Sequence, residues 1–155
     1  MAADTVVTFT VQGAQLTVVA PANAVLPSTS IGGRTTGQLG TVTVNDQRGV
    51  VPAPWTATVA SSDFSTGGGS ANETIAASNA TYWSGPATAT SGSGVFTPGQ
   101  PTATDAVTLA TPRTAFTHSG GGGANSASWN PTLSVNVPET AAAGLYTGTV
   151  THSVA

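Results

Sequence analysis

The stretch Ala143-Gly-Leu-Tyr-Thr-Gly-Thr-Val-Thr-His-Ser-Val154 decides the fold. Tyr146, Gly148, Val150, His152 and Val154 share one parity, and Thr147, Thr149, Thr151 and Ser153 take the other. A period of two sustained over such a run describes a strand with one face on a core and one in water. The same alternation recurs upstream. Val7, Phe9 and Val11 face away from Thr8 and Thr10 in a strand expected over residues 6–11. A second strand, 15–19, follows Gly13, which reads as a turn or bulge. Residues 39–44 alternate next, and Asn45-Asp46-Gln47-Arg48-Gly49 is a turn by composition. Trp55, Ala57 and Val59 share one face, as do Leu133, Val135 and Val137. Shorter candidates lie at 73–77, 107–110 and 114–118.

Gly-rich loops such as 67–69 and 120–123 punctuate these runs, and the longest helix-favouring run, 140–143, is ended by Gly144. Eight to ten short strands with such punctuation predict an all-β protein, an antiparallel Ig-like β-sandwich formed as one domain over residues 1–155. Its expected core contains Val7, Phe9, Leu16, Val42, Trp55, Val59, Leu133, Val135, Tyr146 and Val150. No fixed-period repeat supports a solenoid or propeller.

Composition narrows the function. The 155 residues include no cysteine and no lysine, and only 6% are charged, against roughly 25% in ordinary domains. Arg34, Arg48 and Arg113 are the only cations, too few for a phosphate-binding patch, so nucleic acid is not an expected partner. Without cysteine there is no disulfide framework and no thiolate zinc site. The 28 Thr and 15 Ser keep the surface polar without ions, which suits a secreted or cell-surface protein. No run reaches the roughly 20 apolar residues of a membrane helix, so no membrane insertion is expected. Met1 stands directly before Ala2-Ala3-Asp4 and reads as a start placed ahead of a mature secreted chain. The bias to Ala, Gly, Thr and Val points to a high-GC genome such as an actinobacterial one.

Catalysis finds little support. His118 and His152 are the only imidazoles, and His152 lies on the apolar parity of its strand, where a core histidine is expected. There is no G-x-S-x-G elbow and no pair of acids in informative context. Asp46 follows Asn45 in a turn and suits an Asx turn better than a calcium loop. No catalytic residue, metal or cofactor is therefore expected, and the protein reads as a non-enzyme. The repeated Thr-x-Thr triplets lack the register of an ice-binding ladder and read as solvent faces of strands.

Several segments together resemble the WxL domain, a cell-wall-binding surface module of Gram-positive bacteria. Leu39-Gly-Thr-Val-Thr-Val-Asn-Asp-Gln-Arg-Gly49 resembles the family's strand followed by Asp and an Arg-Gly turn. Trp55-Thr-Ala-Thr-Val resembles the proximal W-x-L element with Ala57 at the leucine position, and Ser61-Ser-Asp-Phe-Ser follows it. The closing strand resembles A-G-x-Y-x-A-x-L-x-W-x-L, with His152 where the second Trp would stand and Val154 where its leucine would. The resemblance implies a secreted module on the cell surface or in the cell wall whose partner is cell-wall polysaccharide or peptidoglycan. Sugar rings stack on aromatic faces, so Trp55, Tyr82 and Trp83 are the candidate ligand-binding residues.

A second function follows from the residues themselves. Strands this poor in charge lack the lysines that blunt sheet edges. The leading segment 3–11 could add to a neighbour's sheet edge, making the chain a self-assembling structural subunit of an extracellular fibre or surface layer. The two readings part on whether Val7, Phe9 and Val11 pack within their own chain.

Overall fold

Val42, Val44 and Asp46 point inward along one strand, while Thr43 and Asn45 stay half-exposed. The computed structural model, which describes residues 1–12 and 15–155, builds the whole molecule from this motif. Fourteen short strands are found among the described residues, and all their pairings are antiparallel. No α-helix occurs among them, only three short 3-10 turns. The fold is an all-β sandwich.

The first sheet contains β1 (Leu16–Val19), β3 (Val42–Asp46), β12 (Asn125–Trp129) and β8 (Ala87–Ser91), in the order β1-β3-β12-β8. The facing sheet contains β14 (Val150–Val154), β4 (Trp55–Ser61), β11 (Arg113–Ser119) and β9 (Val95–Pro98), in the order β14-β4-β11-β9. Phe116 of β11 stacks on Trp129 of β12 at 4.8 Å between ring centroids, so the two sheets share one core. Val42, Val44, Trp55, Ala57, Val59, Ala115 and Ala127 complete that core.

A third sheet holds β10 (Val107–Thr108), β7 (Ala80–Trp83), β13 (Thr132–Asn136) and β2 (Arg34–Gln38), in the order β10-β7-β13-β2. Three of its strands run on in sequence into strands of the first sheet: β2 into β3, β7 into β8, and β12 into β13. The breaks fall at Gly40 (φ 93°), Gly85 (φ 70°) and Pro131. Positive φ needs glycine and proline cannot donate to a ladder, so the long sheet bends there. Two short strands, β5 (Phe64–Ser65) and β6 (Thr74–Ile75), pair separately beside it. Hydroxyls replace ions across the strands: Thr43 bonds Ser128, Ser91 bonds Ser126 and Thr36 bonds Ser134 at 2.6–2.8 Å.

Three sequence expectations need correction. Residues 1–12 form no strand, and Val7 and Phe9 are exposed outside the core, with no strand among the described residues paired to them. Regular strand begins only at Val150 in the closing segment; before it the chain makes an isolated bridge between Thr147 and Ser65. The alternation survives, with Tyr146 and Val150 half-buried and Thr147 and Thr149 exposed. The sandwich also has more strands than eight to ten. Strands such as β8 (Ala-Thr-Ala-Thr-Ser) and β12 (Asn-Ser-Ala-Ser-Trp) carry side chains too small or polar to show as alternation. The turn expected at Gly13 lies outside the described residues.

Candidate functional site

Residues 20–31 leave β1 and cross the end of the sandwich as an extended arm. Thr35 donates from Oγ1 to the Pro27 carbonyl at 2.6 Å, and the Gly33 N–H donates to the Ser30 carbonyl at 2.9 Å. Leu26 lies so close over Gly37 that a Cβ there would stand 2.9 Å from its Cδ2. The arm is thus held against β2. Opposite it, residues 142–150 run toward β14, held by paired bonds between the backbones of Thr147 and Ser65 at 2.9 Å and 3.0 Å.

Between the arm and this segment lies a groove of about 960 Å³. Its floor includes Leu133 and Val135 from the inner face of the third sheet, and Val150 and His152 line it from β14. None of its lining residues carries a charge. Close-packed interiors leave few voids larger than a water molecule. A groove of this volume over core side chains is therefore a gap in the second layer of the sandwich, not a packing defect. Val25 on the arm and Leu145 on the opposite lip are exposed.

The leading segment is a second exposed apolar feature. Val7, Phe9 and Val11 are 78%, 85% and 80% exposed, and Val6 is exposed as well. An alternating apolar strand without a sheet to lie on leaves its whole apolar face in water.

The three sequence-selected aromatics separate here. Trp55 and Tyr82 are buried in the core and present no face to a sugar, which corrects their expected role as ligand-binding residues. Trp55 donates from Nε1 to Asn125 Oδ1 at 2.8 Å and stacks on His118. Tyr82 holds its hydroxyl 3.1 Å from Trp129 Nε1 and 3.0 Å from His152 Nε2. Trp83, on the opposite parity of β7, is half-buried. The burial follows from strand parity: Trp55 and Tyr82 share their faces with Ala57 and Ala80.

Among the described residues no group of three or more His, Asp or Glu gathers to hold a metal, and no helix is long and apolar enough to cross a membrane. His118 is buried with its ring nitrogens 2.6 Å and 2.9 Å from the carbonyl oxygens of Ala53 and Ser93. Asp46 forms the expected Asx turn, its Oδ1 accepting from the Arg48 N–H at 3.0 Å. The Arg48 side chain adds bonds from Nε at 2.9 Å and Nη2 at 2.8 Å, and Asn125 Nδ2 donates at 3.3 Å. The guanidinium holds the Asp46 carboxyl down to about 2.

No protein-family model matches the chain, and no curated protein matches its sequence. Sequence reasoning missed the groove, because its walls come from segments distant in the chain. The apolar composition of residues 24–26 and 145–150 was visible, but not their apposition.

His152 is the one polar side chain lining the groove whose ring is only half satisfied. An indole N–H only donates, so Tyr82 Oη accepts from Trp129 and has its single proton left for His152 Nε2. That bond leaves the ring proton on Nδ1, which is buried without a partner. Burial lowers the His152 imidazole to about 4, so the ring is neutral near neutral pH. The sequence expected a satisfied core histidine; half of that satisfaction is missing.

Proposed function

We propose that the chain is a non-catalytic, extracellular structural subunit that joins to further copies of itself through its leading segment. The observation that carries this reading is the exposure of Val7, Phe9 and Val11 on one face of a segment that packs against nothing in its own chain. Burying each of the three contributes about 1.5–3 kcal/mol, while association costs about 4–15 kcal/mol in lost freedom. Side-chain burial alone is thus near break-even. Added main-chain bonds to a sheet edge would tip the balance, and strand addition supplies them. The near absence of charge supports the same reading, since few ions oppose edge-to-edge contact.

The test is sedimentation and electron microscopy of the full chain and of Phe9→Asp across concentration. The full chain forms elongated assemblies and the variant stays monomeric. A full chain that stays monomeric throughout overturns the reading.

A second reading, binding to cell-wall glycan, keeps the resemblance to WxL modules and is favoured by the partial exposure of Trp83 on the outer parity of β7. Co-sedimentation with insoluble cell walls tests it. Wall-dependent pelleting that Trp83→Ala abolishes supports it, and pelleting indifferent to Trp83 or to walls overturns it.

A further inference from the structure

We infer that the groove between residues 20–31 and 146–150 is the seat of the leading segment of a second copy, with Val7, Phe9 and Val11 inserted over Leu133, Val135 and Val150. This assignment rests on the self-association reading and adds where the strand goes and what receives it.

Three observations carry it. The groove is apolar and lined by no charged residue, and residues 5–12 likewise carry no charge. The segment bordering the groove is ready for a strand. Thr147 and Thr149 direct their backbone bonds to Ser65 and Ser62, on the side of β5. The alternate residues Tyr146 and Gly148 have no backbone–backbone bond among the described residues. Alternate residues of an extended segment point their N–H and C=O to opposite sides, so this free edge is a template for pairing. Residues 5–11 would span about 23 Å when extended, enough to follow such an edge.

The third observation favours a second copy over the chain's own segment. β1 pairs with β3 so that Leu16 lies opposite Asp46 and Val19 opposite Thr43. The leading segment joins β1 at the Asp46 end, whereas the groove opens beyond the Thr43 end, among Val42, Leu39 and the arm. A segment filling its own groove would have to fold back past the whole of β1. Donor and seat at opposite ends make a head-to-tail contact, which propagates as a filament rather than closing as a dimer.

The test titrates a synthetic peptide of residues 3–12 into the isotope-labelled Phe9→Asp chain, whose own segment cannot compete, and follows amide and imidazole resonances. The substitution touches no packed residue, so the host keeps its fold. The expected result is saturable binding with shifts confined to residues 20–31, 133–135 and 142–152. A Phe9→Asp peptide should bind at least about tenfold more weakly, because one buried phenylalanine counts for more than a decade of affinity. Shifts at another edge, such as β9 or β10, overturn the seat. So does absence of peptide binding while the full chain still assembles, a result that leaves self-association standing. A full chain that stays monomeric with its own Phe9 protected shows the occupant to be the chain's own segment, and overturns both the seat for a second copy and the function.

Discussion

Trp55 donates from its indole nitrogen to Oδ1 of Asn125 across 2.8 Å, joining β4 of one sheet to β12 of the sheet facing it. Asn125 in turn donates to Asp46, which Arg48 holds, and Arg48 donates onward to the Pro54 carbonyl at 2.8 Å. This polar chain spans one end of an otherwise apolar sandwich. Asn125→Ala should destabilise by about 2–4 kcal/mol, since it strands the Trp55 N–H and removes a donor from a buried carboxylate. Trp55→Phe strands only the Asn125 amide oxygen and loses some packing. Urea unfolding of Asn125→Ala and Trp55→Phe measures the two losses.

Stability should fall in two separate steps as pH drops. Burial lowers His152 from 6.5 to about 4, so between those values the unfolded chain binds the proton that the folded chain refuses. Stability therefore declines from about pH 6.5 and levels off below about 4, by about 2–3 kcal/mol. Asp46 is held from 3.8 down to about 2, chiefly by Arg48. Its contribution is complete above about pH 4 and is lost as pH falls through about 2, a further loss of about 2 kcal/mol. Urea melts from pH 7 to pH 2 resolve both steps. His152→Gln should flatten the upper step, and Asp46→Asn the lower one while weakening the fold at every pH.

Gly94 and Gly49 offer a matched pair. A Cβ on Gly94 (φ 110°) would stand 2.3 Å from His118 Nε2 and 2.8 Å from the Ser119 carbonyl oxygen. A Cβ on Gly49 (φ 67°) meets nothing within 4 Å. Gly49→Ala should cost about 1 kcal/mol, from backbone conformation alone. Gly94→Ala adds a clash with a buried ring packed against Phe96 at 4.5 Å and should cost at least about 3 kcal/mol. Thermal unfolding of the two variants measures the difference.

Phe9→Asp should leave the folding stability of the monomer within about 0.5 kcal/mol of the original, because Phe9 packs on nothing in its own chain. Val59→Ala, one strand over from the groove and fully buried, should cost about 2–3 kcal/mol. Denaturant curves at concentrations below assembly separate the two. A Phe9 variant that unfolds early would return that residue to the core.

Strands with large apolar side chains at every second position were legible. Val42, Trp55, Val59, Leu133 and Val135 carry the inward faces expected of them. β12 escaped because only Trp129 stands out among Asn125, Ser126, Ala127 and Ser128, and its inward parity includes a buried amide. The candidate site was legible in one half. The alternation of Val7, Phe9 and Val11 was clear, but the same pattern suits a core strand and a strand that seeks another chain. Tyr82 was expected to offer a face to a sugar, but the parity of β7 points it inward with Ala80, where it meets Trp129 and His152.

By itself the sequence determined an all-β sandwich, because period-two alternation is a local property that any antiparallel sheet satisfies. It also determined that the surface is held in water by hydroxyls rather than ions. Only the tertiary structure decided which alternating segments find partners. That depends on the order of strands across the sheets, set by contacts between residues far apart in the chain. The order puts β3 beside β1, and β14 at an edge of its sheet. It leaves a groove between the arm and residues 142–150, and no strand for residues 1–12. Alternation is a local property that marks Phe9 as part of an apolar face, whereas the strand order, set by contacts distant in sequence, determines that this face stays exposed in the folded chain.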